Sequence, residues 1–476
     1  MEHCMQGGGT NLARSPRRRS TPTSPPPRYS APVSTTEPQA PLPELMSFVR
    51  SVSRLSGRVA GSQGERQAQE LLAGRLARMG FEVVVEGAVC PPQPPAVLAL
   101  HASCGLLAVL LVLVSPLWGL ALGALTGLSF WGELRGGPYL LHRLLLKRIS
   151  GNLVARLRPA KHRDGPSDAD QRAVPKIVLV AHADVASSST LFRPWVRRLW
   201  EGVSGEGEAT LPRFRLHPGG VVLLAAAAHG IAALGALVGA PPLVLHLLLG
   251  FAALVYAGLA VLAVDWWRSP PVEGAIDNAS GMAVLLGVAA DVVDRPLEHA
   301  EVWVVGTGDR EPDAGGMEAF LFQFGALLDP HNVAIVNVDD VGRGTLHVGT
   351  SEGRWDRLPY RPLVAGLAER IARSQRYGTV PLASLFGTTD AGPATRAGFS
   401  AVTLTSLVDG RAPDELHTHA DRFARVEPQA LATAWGFTRE LVRALDGELA
   451  PGGPAGARAF APPAGDDEAA TARDTP

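Results

Sequence analysis

The run KIVLVAHADV, residues 176–185, ends a hydrophobic strand with His182 and Asp184. Two residues apart on an extended chain, these side chains share a face. An imidazole backed by a carboxylate is how a metal-binding histidine keeps its tautomer and orientation. A histidine at a strand end is equally an ordinary surface residue, and the pair alone does not choose. EGAIDNASGMAV puts Asp277 in a turn directly before a helix, where capping by Asp277, Asn278 or Ser280 explains the residues just as well. VAIVNVDDVG ends another strand with Asp339 and Asp340, and DELHTHADRF supplies His417, His419 and Asp421. EVWVVGTGDREPDAGGMEAFL reads as a buried strand, a glycine-rich turn and a helix opening near Met317, with Asp309, Arg310 and Glu311 side by side where the strand ends. Taken together, these are His, Asp and Glu residues at strand ends, in loops able to converge. Oxygen and imidazole donors without thiolates suit a hydrolytic zinc site.

The elements that must carry them alternate in type. Strands are expected at FEVVVEG, GNLVARL, KIVLVAH, AEVWVVG, VAIVNVD and SAVTLTS, and helices at GERQAQELLAGRLARMG, SGMAVLLGVAADVV and RPLVAGLAERIARSQ. That alternation predicts an α/β fold, a three-layer α/β/α sandwich around a mixed, mainly parallel sheet.

Two stretches depart from this pattern: Pro91 to Gly132 and Leu216 to Val264 contain no Asp, Glu, Lys or Arg. Each is about twice the roughly 20 residues a helix needs to cross a bilayer. Each has a turn signal near its middle, Ser115-Pro116 and Gly239-Ala240-Pro241-Pro242, so each reads as a transmembrane helical hairpin interrupting the sandwich. Arg135, Arg143, Lys147 and Arg148 follow the first, Arg193, Arg197, Arg198, Arg213 and Arg215 precede the second, and Arg268 follows it. Positive charge marks the cytoplasmic side of a span. The expectation is therefore a multi-pass protein of the plasma (inner) membrane, its polar segments on the cytoplasmic side.

The predicted organisation is a Pro/Arg-rich tail (1–43), a first polar segment (44–92), hairpin 1 (93–133), a second polar segment (134–215), hairpin 2 (216–266), a third polar segment (267–447) and a final tail (448–476), the three polar segments forming one domain. The tails hold too few bulky apolar residues to order themselves, and no apolar signal-peptide core occurs in the first thirty residues. Net charge is −1 and the dense basic run is confined to RSPRRRS, which argues against nucleic acid as a partner. Cys4, Cys90 and Cys104 form neither a CxxC nor an even set, so a disulfide framework and a thiolate metal site are not expected.

The order His-x-Asp, DNASG, an acidic pair before GGM, VNVDDVG and then HT resembles the two-zinc (co-catalytic) metallopeptidase family of bacterial leucyl aminopeptidases, glutamate carboxypeptidases and glutaminyl cyclases. RLSGRVAGSQGERQAQELLAGRLARMGFEV looks like that family's N-terminal signature. The resemblance implies that His182 and Asp339 hold one metal, Glu311 and His417 the other, and that Asp277 bridges them, with Asp184 orienting His182. It implies two divalent ions, zinc by the donor set, a peptide substrate, and exopeptidase (aminopeptidase) hydrolysis.

One position departs from the family. Two adjacent glutamates are usual there, the first a general base; Glu311 matches the second and Arg310 stands at the first. A guanidinium is donor-only and cannot take a proton from water. Losing such a base costs about 10²- to 10⁴-fold in rate. Asp309 is the neighbouring carboxylate that could turn into the vacancy, although adjacent strand residues face opposite ways. The alternative function is a catalytically inactive metal-binding relative acting as a membrane binding or scaffold protein. A competing motif is GTSEG, residues 349–353, followed by Asp390 and His417 in the Ser-Asp-His order of α/β-hydrolases.

Overall fold

The computed structural model describes residues 40–135, 137, 139–159, 172–200, 218–311, 314–353 and 357–450. Most of both expected tails, and Arg213 and Arg215, lie outside the described residues. The strands are β1 (Glu82–Cys90), β2 (Arg148–Leu157), β3 (Lys176–His182), β4 (Glu301–Thr307), β5 (Val333–Val338), β6 (Thr345–Glu352), β7 (Leu358–Pro359), β8 (Leu382–Leu385) and β9 (Ser400–Leu407). The helices are α1 (Leu42–Ser53), α2 (Gln63–Arg78), α3 (Pro94–Val114), α4 (Pro116–Arg135), α5 (Pro194–Trp200), α6 (Pro218–Leu237), α7 (Pro242–Arg268), α8 (Ser280–Asp294), α9 (Gly315–Phe324), α10 (Pro362–Arg373), α11 (Ala391–Arg396) and α12 (Pro428–Glu448).

All the strands join one mixed sheet in the order β1-β2-β4-β3-β5-β9-β6-β7, with β8 pairing β6. The sheet expected to be mainly parallel is so only at its centre, β4-β3-β5-β9, and at β6-β8. β1-β2, β2-β4, β6-β9 and β6-β7 are antiparallel. The connections give the reason. A single helical crossover returns the chain to the starting edge and makes the next strand parallel, as α9 does between β4 and β5. Between β1 and β2 the chain leaves through two successive helices and comes back to the edge it left, so the two strands run antiparallel.

Every residue of β3, β5 and β9 is buried, which requires cover on both faces of the sheet. α8 packs with α1, α2 and α12, while α9 packs with α11. Met282, Val284, Leu285 and Val288 of α8 are fully buried. Each such side chain contributes about 1.5–3 kcal/mol of transfer free energy. α2 is capped by Ser62, whose hydroxyl accepts from the Glu65 amide at 3.2 Å while the Glu65 carboxylate takes the Gly61 amide at 2.7 Å. This is a capping box in all but one position. Its other carboxylate oxygen accepts from the Asp309 amide at 3.1 Å, so the start of α2 is tied to the turn after β4.

α3, α4, α6 and α7 form a separate bundle, α3 against α4 and α7, and α6 against α4 and α7. Close approach depends on glycine: a Cβ on Gly123 would lie 2.2 Å from the His229 ring, and one on Gly105 would lie 2.5 Å from Tyr256. Small residues allow the same approach between helices in a bilayer. Among the described residues four helical runs are long and apolar enough to cross a membrane: α3, α6, α7 and Ala275–Asp294. The last is 89% buried and is the core helix α8 with its lead-in, apolar because it is covered on all sides. α3, α6 and α7 instead turn Leu107, Leu110, Leu113, Ile231, Leu254 and Val261 outward.

Candidate metal centre

The chemistry-bearing residues gather at the carboxyl ends of the central parallel strands, the usual place for a site in such sheets. His182 is the last residue of β3, Glu311 follows β4, and Asp339 follows β5. Asp277 precedes α8 and His417 stands in the loop after β9. Two groups of three result, His182 with Asp277 and Asp339, and Asp277 with Glu311 and His417, each with ligand atoms within 4.8 Å of one another.

Asp277 is the shared member. Its Oδ1 lies 3.0 Å from His182 Nε2 and its Oδ2 lies 2.9 Å from His417 Nε2. His182 Nε2 is also 3.2 Å from Asp339 Oδ1, and His417 Nε2 is 3.2 Å from Glu311 Oε1. Despite these distances, neither Asp277 oxygen accepts an aligned hydrogen bond, and both are buried. A buried carboxylate left in that state is costly. Each group of three brackets a centre that an ion could occupy, although His182 Nε2 also hydrogen-bonds Asp339 Oδ1 at 3.2 Å. A divalent cation at each centre would satisfy both oxygens, and the nitrogen and oxygen donors suit zinc. The residues present therefore fit two such ions.

The electrostatics agree. Burial opposes ionisation of Asp277, yet the two imidazoles hold its carboxyl well below the usual carboxylate range. Glu311 is likewise held at about 2 against burial by His417 and Arg310. Burial alone would lower the imidazoles, but the surrounding carboxylates raise His182 well above its ordinary value and His417 to about 10. The fold has concentrated negative charge here.

A second ring of residues holds the first. The Asp184 carbonyl meets His182 Nδ1 at 3.1 Å, and its carboxylate, 3.4 Å from the same nitrogen, accepts the Glu311 amide at 3.1 Å, joining the two groups. Asp421 accepts the amides of Ile276 at 2.7 Å and Asp277 at 3.2 Å. The buried Arg58 guanidinium donates to the carbonyls of Ala183, Glu273 and Gly274, fixing the exit of β3 against the turn that carries Asp277. The side chain that meets the first turn of α8 is Asn278, whose Oδ1 takes the Gly281 amide at 3.0 Å. That releases Asp277 from this role. Asp309, Asp340 and His417 all have positive φ, an uncommon backbone state outside glycine that clusters at functional sites.

His419 is exposed and meets Ser188 at 3.1 Å, away from the two groups. Asp340, one residue beyond Asp339, is in neither, and burial beside the charged Asp277 and Asp339 pushes its carboxyl well up. Asp309 pairs with Arg148 Nη2 at 2.7 Å, and burial outweighs that partner to push its carboxyl up to about 8. Arg310 reaches into the site, donating to Glu311 Oε1 and, at 2.8 Å, to Asp339 Oδ2. GTSEG is not a nucleophile elbow: Ser351 lies within β6 and its hydroxyl meets Ser384 at 2.8 Å, while His417 serves the carboxylate group instead. Three positioning residues were given no role at the site by the motifs: Arg58, which lies inside the quoted N-terminal signature, Phe192, which packs edge-on to His417 with ring centroids 4.7 Å apart, and Arg197, whose guanidinium holds the carbonyls of Ala412, Pro413 and Leu416 just before His417. Nothing local distinguishes them, because all three bind backbone or ring atoms far along the chain.

The pattern of Peptidase family M28 matches residues 261–441, a stretch that contains Asp277, Glu311, Asp339 and His417. The resemblance read from the motifs is thereby borne out. No curated protein matches the sequence. Similar solved structures include BSAP, a zinc aminopeptidase from Bacillus subtilis, at 13% identity over 84% of this chain and 94% of that one, TM-score 0.49. An aminopeptidase from Aneurinibacillus sp. strain AM-1 gives 13% identity over 85% and 93%, TM-score 0.47. Porphyromonas gingivalis glutaminyl cyclase gives 13% over 85% and 98%, TM-score 0.46.

Proposed function

With the M28 peptidase pattern running through residues 261–441, we propose that this chain is a membrane-anchored, zinc metallopeptidase-like protein acting on peptides as an exopeptidase of the aminopeptidase kind. His182 and Asp339 would hold one divalent ion, Glu311 and His417 a second, and Asp277 both. The observation that carries the reading is Asp277, buried between two imidazoles with neither carboxylate oxygen bonded. When bound, the ions supply Lewis-acid polarisation of a carbonyl and a water of lowered pKa.

The chain's own residues supply the rest. Asp184 and Asp421 fix His182 and Asp277 through the contacts above, so that little reorganisation accompanies the reaction. Hydrolysis adds a water oxygen to the scissile carbonyl carbon, breaks the C–N bond and sends a proton to the departing amine. That proton needs a carrier. Arg310, beside Glu311, donates but cannot accept, and the Asp309 carboxylate is engaged by Arg148. Turnover by the natural sequence is accordingly slow. The guanidinium spanning Glu311 and Asp339 also favours a second reading, a catalytically inactive relative that retains metal for structure and binds partners through its cleft or membrane helices.

The helix pairs α3/α4 and α6/α7 are read as the two membrane-crossing hairpins, inserted in one peptidase-like domain built from the segments 44–92, 134–215 and 267–447. Their outward leucines and arginine-bearing flanks support that reading, with the metal centre on the cytoplasmic side of the plasma membrane.

Elemental analysis of purified protein tests the proposal. It should give about two divalent ions per chain, reduced in His182→Ala and in His417→Ala. Protein prepared without chelators that carries no metal ends the reading.

A further inference from the structure

A cavity of about 350 Å³ reaches one of the two candidate ligand groups, with Glu311 and His417 in its wall beside Arg310. This is within the range of small-molecule sites. The bundle supplies part of the remaining wall, through Leu98 of α3, Phe130 of α4, Val222 of α6 and Leu262 of α7, beside loop residues such as Phe192, Phe386 and Leu416. Each helix contributes from the end nearest the sheet, as the topology requires. β1 leads into α3 from Cys90, which pairs with Arg148 at the start of β2, and β2 lies antiparallel to β4, so the helices leave from the carboxyl edge of the central strands. The second pair inserts after β3, at that same edge.

A cleft serving only a short soluble peptide would not need all four bundle helices in its wall. Phe192 strengthens the connection, packing edge-on to His417 at 4.7 Å and to Trp266 of α7 at 5.2 Å between ring centroids. The candidate metal centre and the bundle thus border one half-open cavity whose wall is mainly apolar, with Glu133, Arg148, Arg310 and Glu311 among its charged members. Such a space matches an amphiphile.

We propose that the substrate is a bilayer-borne amphiphilic amide: its peptide-type bond lies over the metal-ligand groups and its long apolar chain occupies the cavity between the ends of α3, α4, α6 and α7. The proposal rests on the metallopeptidase reading for the bond and on the cavity walls for the chain, and the two separate experimentally.

The test measures equilibrium binding of radiolabelled N-dodecanoylglycine anilide and N-acetylglycine anilide to full-length protein in lipid nanodiscs, with metal content assayed on the same preparations. The dodecanoyl probe should bind at least about tenfold more tightly, each buried methylene being worth up to about fourfold. Leu98→Trp and Leu262→Trp, which fill the cavity, should remove that advantage while metal content is retained. Leu98→Ala and Leu262→Ala, which enlarge it, should move the preference to longer chains. Equal binding of the two probes, or a dodecanoyl advantage untouched by all four substitutions and so due to lipid partitioning alone, overturns the proposal. So does tight binding confined to a trileucine anilide, which would make the ligand a soluble peptide. A chain preference in protein that holds no metal would sink the metallopeptidase reading and leave the cavity assignment standing.

Discussion

The Arg310 guanidinium donates to Asp339 Oδ2 at 2.8 Å and to Glu311 Oε1, so one fixed cation spans a residue from each metal-ligand group. It stands where a proton acceptor would be useful. Replacing it by a carboxylate, Arg310→Glu, should raise hydrolysis of aminoacyl 4-nitroanilides by about 10²- to 10⁴-fold. Arg310→Gln removes the charge without adding a base and should recover far less. If Asp309 is the working base, Asp309→Asn abolishes wild-type turnover and Arg310→Glu changes little. Brisk wild-type activity that survives both substitutions would show that neither residue serves as the base.

Asp421 touches no substituent of the cluster except through the backbone of Ile276 and Asp277, yet it sets where the shared carboxylate sits. Asp421→Ala should weaken metal binding about 10- to 100-fold, the usual effect of removing a residue that orients a ligand. His419→Ala, two positions away and exposed, should leave affinity unchanged. Titration with a zinc-competing dye reads both, and equal losses would show that the loop as a whole, not Asp421, matters.

The proposed sidedness rests on the flanking arginines. In a variant lacking Cys4, Cys90 and Cys104, a cysteine at Ser115 or Pro241 should react with an impermeant maleimide added to intact cells, whereas one at the exposed Arg422 should react only after lysis. The reverse pattern places the metal centre outside.

Glu352 gives a pH signature away from the metal. Burial pushes its carboxyl up to about 7, against the hydrogen bonds from Thr389 and Tyr360. An acid raised in the folded state contributes stability that is complete below its unfolded value of 4.5 and is lost as pH rises to about 7. The loss is about 3 kcal/mol at 1.36 kcal/mol per pKa unit. Denaturation in detergent at pH 4.5 and 7.5 should therefore show a difference between the two pH values smaller by that amount in Glu352→Gln. An unchanged difference would mean that Glu352 is already ionised in the fold.

Much of the core could be read in the sequence because β-branched runs announce it: KIVLVAH, AEVWVVG and VAIVNVD became β3, β4 and β5. The cluster was visible through order, His182 to His417, since loops at one sheet edge must meet. What escaped was long-range. Arg148 and Arg197 look like charges flanking a membrane span, but one binds Asp309 and the carbonyls of Ala60 and Pro91, and the other clasps the His417 loop. The Asp277 ambiguity was resolved only by seeing Asn278 meet the first turn of α8. β6 was missed because its GTSEG resembles a turn, and pairing with β8 and β9 overrides the glycines.

The sheet order also dictates a timetable. β3 is complete at residue 182, but its partner β4 begins only at residue 301, after α6 and α7 have emerged. At 5–20 residues per second, those roughly 120 residues keep a largely apolar strand waiting about 6 to 24 s on the ribosome-bound chain. Edge β1 waits likewise for β2 across the first helix pair. The helices therefore emerge before the sheet can close, and a defect in either pair would leave β1 or β3 unpaired for longer, a bare template for aggregation.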